Sequence, residues 1–185
     1  MRTEKVFAVI IFIAIILKFI HVTGSGFLLV ISLSTLSMIY FPCAFYFFSD
    51  KESKRQNMPL SIVTGIFLSY CLMGILFKFQ FYNGGQFIIS VGAITSIIIL
   101  GVICYMGGKA AEELKTYYKN MVLRTSIICI LSIILYFTPT HSLYKIFHRD
   151  NPERVRLYMQ TYDNPDNKDY QKQYDNYLDS MEKHR

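Results

Sequence analysis

No aspartate or glutamate falls inside any of the five apolar runs of this chain, although thirteen occur outside them. That absence removes the carboxylates on which an intramembrane proton relay depends. Cysteine is sparse as well: Cys43, Cys71, Cys104 and Cys129 fall one to each of the last four runs. No two share Cys-x-x-Cys spacing, so they read as small apolar packing residues rather than a metal or redox site. His21, His141, His148 and His184 lie at run ends or in the carboxy-terminal tail, which suits interface placement better than ligation. Gly-x-Ser-x-Gly, His-Glu-x-x-His and Walker patterns are absent. The serines of the runs meet no histidine or aspartate at the same depth, and small polar residues there let helices approach closely. The expectation is a protein that is not an enzyme, with no catalytic, cofactor-binding or metal residues.

What is present is apolar. The 185 residues are 52% hydrophobic and 17% charged, with a mean hydropathy of +0.31. Such a chain reads as an all-α, polytopic integral membrane protein. The runs cover 6–22, 27–48, 58–77, 87–106 and 125–137. The first is about 25 Å of helix, and the last spans a bilayer only if 121–124 and Thr138 extend it, with Arg124 reaching the interface. The expected organisation is a first hairpin (1–48), a basic loop (49–57), a second hairpin (58–106), a basic loop (107–120), a fifth transmembrane helix (121–138) and a helical tail (139–185).

Charge gives the expected orientation. Arg2, Lys5, Lys51, Lys54, Arg55, Lys109, Lys115, Lys119 and Arg124 gather on one side, against Lys18 and Lys78 on the other. The positive-inside rule then puts the amino terminus in the cytoplasm. The formal charge of +6 therefore reports topology. No basic face with interleaved aromatics forms outside the runs, so nucleic acid is not an expected partner.

The two outer lysines belong to a pattern. Residues 6–39 match 66–99 without a gap, pairing Lys18, Phe19, Gly24, Phe27 and Thr35 with Lys78, Phe79, Gly84, Phe87 and Thr95. Each copy holds two helices, so both copies share one orientation and the repeat is parallel. Its internal recurrence also argues that the first run is a permanent helix, not a cleaved signal. Lys18 and Lys78 are expected at the outer membrane interface, with ammonium groups lifted to the headgroups and Gly24 and Gly84 forming tight turns. A polar path or an anionic-headgroup site is the sharper alternative.

The stretch from Leu17 to Phe45 resembles the amino-terminal hairpin of GldL, a membrane subunit of the ion-driven gliding and secretion motor. Lys18, Phe19, His21 and Gly24 approximate that family's turn, while Thr35 and the 40–45 run match its second helix. The family's membrane glutamate falls on Leu36 here, and on Ser96 in the second copy. The resemblance thus implies a hairpin architecture and an internal amino terminus in a bacterial inner membrane, and does not imply a motor.

The tail carries Asp-Asn-Pro twice, at 150–152 and 163–165. In each, asparagine suits a cap, proline the first helical position, and Glu153 or Asp166 the first turn. Helices are expected over 152–162 and 165–183. Tyr170, Tyr174, Tyr177, Leu178 and Met181 form one aromatic-apolar face, and Val155, Tyr158, Met159 and Tyr162 another. These faces either pack on each other or the membrane, or dock a partner. The leading expectation is a non-catalytic membrane subunit or scaffold whose tail contacts a protein partner or a second copy, with membrane lipid around its spans. The alternative is a small transporter or channel.

Overall fold

The computed structural model describes residues 2–22, 24–48 and 57–183, with side chains described over 6–22, 24–41 and 57–181. Lys51, Lys54, Arg55 and His184 therefore lie outside the described residues. Eight helices and no strand occur among those described: α1 (Arg2–Phe19), α2 (Ser25–Phe48), α3 (Met58–Gln80), α4 (Gly85–Gly108), α5 (Glu112–Phe137), α6 (Thr140–Phe147), α7 (Pro152–Asp163) and α8 (Lys168–Lys183). They form two compact units that divide between Pro139 and Thr140.

In the first unit three helices, α3, α4 and α5, are long and apolar enough to cross a membrane, against the five expected. The described apolar stretches of the other two are Val6–Phe19 and Ser25–Phe41, shorter than the ~18 residues a span needs. The first helix also stops at Phe19 rather than continuing to Val22, because His21 takes a left-handed conformation with φ 61°. A second difference is that α5 starts at Glu112, so most of the expected 107–120 loop is helix. Glu112 and Glu113 favour the positive end of the helix dipole, and Glu112 pairs with Lys115 at 2.5 Å. Two polar turns carry no apolar period, which is why they read as a loop.

The bundle is apolar outside and partly polar inside. Phe27, Phe87 and Phe137 are 71%, 70% and 75% exposed, while Ser61, Thr64, Thr125 and Ser132 are fully buried. This is the inverse of a water-soluble helix bundle and fits hydrocarbon around the helices. Helix α3 sits centrally, packing against α2, α4 and α5. Small residues set its distances. A methyl group added at Gly74 would sit 3.1 Å from the Ile89 backbone, and one at Gly92 would sit 3.3 Å from Cys71 Cα. Across α2 and α3, Ser37 Oγ lies 2.8 Å from Ser69 Oγ. Such close contacts supply the packing that lipid cannot drive.

The second unit contains three helices where two were expected. The extra one, α6, is eight residues long and buries Leu143, Tyr144 and Phe147; so short a segment shows too little period to be read from sequence. The first Asp-Asn-Pro motif starts α7, with Asn151 Oδ1 accepting from Arg154 N at 3.0 Å. The second does not start a helix. Asn164 closes α7, and α8 begins at Lys168 rather than 165 because Asn167 Oδ1 takes the cap, accepting from Asp169 N at 3.0 Å.

Candidate functional site

The residues singled out by the repeat meet at the two hairpin turns. At the first turn Val22 N donates to Leu17 O, His21 N to Lys18 O, Ser25 N to Val22 O and Leu28 N to Gly24 O. At the second, Tyr82 N donates to Phe77 O, Phe81 N to Lys78 O, Gly85 N to Tyr82 O and Ile88 N to Gly84 O. Each bond has its counterpart sixty positions along. His21 and Phe81 both take a left-handed conformation (φ 61° and 60°), as do Gly24 and Gly84 (φ 89° and 78°). The first pair of bonds in each turn is the Schellman closure of a helix end. Glycine occupies its left-handed position without steric cost, whereas His21 and Phe81 are held there against a cost of about 1–2 kcal/mol.

The two lysines take different partners. Lys18 is half-buried and donates from Nζ to the Phe79 carbonyl at 2.5 Å, with the ammonium 5.4 Å from the Phe81 ring centroid. Lys18, at the end of α1, thus sits on the carboxy-terminal end of α3. Carbonyls there lack amide partners and carry the negative end of the dipole, so a cation suits them. Lys78 is 1% exposed and donates from Nζ to Gln86 Oε1. Gln86 Nε2 in turn donates to Tyr136 O on α5 at 3.3 Å. Gln80 Nε2 completes the layer by donating to Gly26 O on α2 at 2.8 Å.

Lys78 is covered by protein, whereas Lys18 is only half-buried. The Lys78 ammonium meets the amide oxygen of Gln86, an exposed residue at the start of α4, and a charge on a covered side chain is tolerated when so paired. Gln80 and Gln86 are the site residues that the repeat missed. They stand opposite Ile20 and Gly26 in the first copy, so a repeat-based comparison discards them. Amide side chains beside a lysine in an otherwise apolar segment were the available signal.

The expected partner face of the tail is largely used inside the tail. Tyr158 stacks on Tyr144 with centroids 3.6 Å apart and planes 5° from parallel, and Tyr144 stacks on His148 at 4.2 Å. Tyr174 packs edge-on to Tyr158 at 5.9 Å and shares a 2.8 Å hydrogen bond with the Tyr144 hydroxyl. Tyr177 donates to Asn151 Oδ1 at 2.9 Å, and Asn151 Nδ2 points to Met181 Sδ at 3.4 Å. Tyr170 and Leu178 are half-buried. Tyr162 remains 41% exposed, with His141 edge-on at 4.9 Å. Burial pushes the Tyr144 and Tyr158 phenols above their ordinary range, so both phenols stay neutral at physiological pH. The stack is a small aromatic core.

No family model, curated protein or solved structure matches the chain.

Proposed function

We propose that this chain is a non-catalytic integral membrane subunit or scaffold that carries a folded tail for a protein partner. The observation that supports it is the tail itself, a separate compact unit with its own aromatic core. The reading includes five spans, formed by two parallel hairpins of GldL-like pattern without the membrane glutamate, plus one further helix. It places the chain in a bacterial inner membrane with a cytoplasmic amino terminus. Membrane lipid, a protein partner or a second copy are its proposed contacts, and nucleic acid is not among them. Because most of the tyrosine face packs internally, the partner meets the outer side of α8, where Lys168, Asp169, Lys172, Asp175 and Asp179 are exposed. Contacts of that kind are polar and sensitive to salt.

The test is purification in mild detergent of the full chain and of a form ending at Pro139. A defined partner that accompanies only the full chain, and leaves as salt is raised, supports the reading. Equal company for both forms overturns it. A second reading, transport through the bundle, is favoured by Lys78, since an ionisable group in a bundle interior often marks a solute path. It predicts loss of transport when Lys18 and Lys78 are replaced together.

A further inference from the structure

Three hydroxyl oxygens inside the bundle, Thr64 Oγ1, Thr125 Oγ1 and Ser132 Oγ, are buried and have no hydrogen-bond partner. All three residues are 0% exposed. Threonine and serine in helices normally return their hydroxyl to a carbonyl one turn back, as Thr95 Oγ1 does to Val91 O at 2.8 Å. Leaving one such group unpaired in an apolar interior is costly. Three in one bundle call for a common cause.

Helix geometry brings them to one place. Ser61 faces α5, its Oγ 2.6 Å from Tyr117 OH, and Cys71 faces α4, donating to Gly92 O at 3.1 Å. At about 100° per residue, Thr64 lies about 60° from Ser61 on the side of Cys71. On α5, Tyr117 faces α3, while the Tyr118 side chain lies against Gly107 of α4. Thr125 and Ser132 fall between those two directions, at about 80° and 60° from Tyr117. Each hydroxyl-bearing residue therefore projects into the space enclosed by α3, α4 and α5.

The axial register agrees. Gly74 lies against Ile89 and Gly92 against Cys71, which makes α3 and α4 antiparallel. Gly107 against Tyr118 and Gln86 on Tyr136 make α4 and α5 antiparallel too, so α3 and α5 run the same way. With Ser61 level with Tyr117, Thr64 and Thr125 are about 7 Å apart along the axis, and Ser132 is about 10 Å further. Ser96 of α4, 1% exposed, comes level with residue 67 of α3 by the Gly74 and Gly92 contacts.

A hydrogen-bonded layer stands at each end of this interior, the second of them exposed. At one end Tyr117 OH accepts from Ser61 and donates to Asn57 O at 3.1 Å. At the other, Lys78 holds Gln86 and Gln86 holds Tyr136 O. No carboxylate occurs in α3 or α4, and those of α5 are confined to its first turn. A cation has no counter-charge there, and Lys78 stands at one end of the row. The occupant that suits unpaired hydroxyls in such a space is neutral, small, and both donor and acceptor.

We infer that the space between α3, α4 and α5 is a water-binding site, with ordered molecules held by Thr64, Thr125 and Ser132 between the Tyr117 layer and the exposed Gln86 layer. Water with two to four polar partners is the ordinary solution for such groups. The site belongs to the bundle and is independent of what the tail binds.

Radiolytic hydroxyl labelling of the full chain in lipid nanodiscs tests this, since buried side chains beside bound water are oxidised and dry ones are not. Met121, about 40° from Tyr117, faces that space on α5 and Cys129 borders it at about 120°, while Leu33 and Tyr40 are equally buried on α2. After correction for intrinsic reactivity, the first pair is expected to label at least about fivefold more than the second. Replacing Thr64 and Thr125 by valine should lower that labelling at least about threefold without raising the melting temperature. Labelling at the level of Leu33 and Tyr40 overturns the inference, as does a clear rise in melting temperature, which marks dry hydroxyls relieved of burial. If the valine form does not fold, the wild-type labelling ratio decides alone.

Discussion

The two hairpin turns share a backbone and differ in what their lysines do. Hydrogen bond for hydrogen bond, residues 17–28 repeat in 77–88, including the left-handed residue three positions after each lysine. Yet Lys18 reaches out of its own hairpin to a helix end in the other, whereas Lys78 turns inward to Gln86. The local sequence decides the turn; the neighbours decide the charge. In the first copy the position matching Gln86 is Gly26, which has no side chain to receive an ammonium and instead offers its carbonyl to Gln80. One glycine-for-glutamine difference thus separates a lysine that joins two hairpins from one that ties α3 to α4 and, through Gln86, to α5.

The strongest way to break this comparison is to truncate each lysine. Lys78→Ala leaves a cavity and removes a donor from Gln86, and should cost about 2–5 kcal/mol, read as the shift in detergent-induced unfolding. Lys18→Ala removes a half-exposed group at a helix end and should cost about 1 kcal/mol. Equal losses would mean that the two environments do not differ as described. Next in size is Gln86→Leu. It strips a charge-assisted hydrogen bond from Lys78 and should cost about 1.5–3 kcal/mol, with no further loss when Lys78→Met is added.

The shared backbone is probed by Gly24→Ala and Gly84→Ala. An added methyl meets nothing within 4 Å at either glycine, so only the positive φ resists it. Each should cost about 1–2 kcal/mol, and the two values should agree. The smallest effect separates the copies again. His21→Gly relieves left-handed strain at an exposed site and should stabilise by at most about 1 kcal/mol in a thermal melt. Phe81→Gly loses a ring that packs near the Lys18 ammonium and should gain nothing.

Much of the helical layout was legible because bilayer-scale helices write themselves as long apolar runs. The runs at 58–77 and 87–106 sit inside α3 and α4. The start of α5 was not legible, since its first turns are held by Glu112, Lys115 and the dipole rather than by an apolar face. Asn151-Pro152 announced α7 correctly, but the same motif at Asn164-Pro165 ended a helix. Both uses satisfy asparagine and proline locally, and Asn167 three residues later was the better cap. The spacing of Tyr174, Tyr177 and Met181 marked a buried face without saying what buries it. That cover came from α6 and the α7 start, through Tyr144 and Asn151.

By itself, then, the sequence determined the helical class, the apolar exterior and the geometry of both turns. These depend on hydropathy and on φ preferences carried by single residues and their near neighbours. Tertiary structure alone decided which oxygen each lysine meets, which three hydroxyls face one space and which tyrosines remain for others to touch. Those outcomes depend on side chains from different helices, 8 positions apart for Lys78 and Gln86 and 56 for Ser61 and Tyr117, arriving at the same level, and only packed helices set that register.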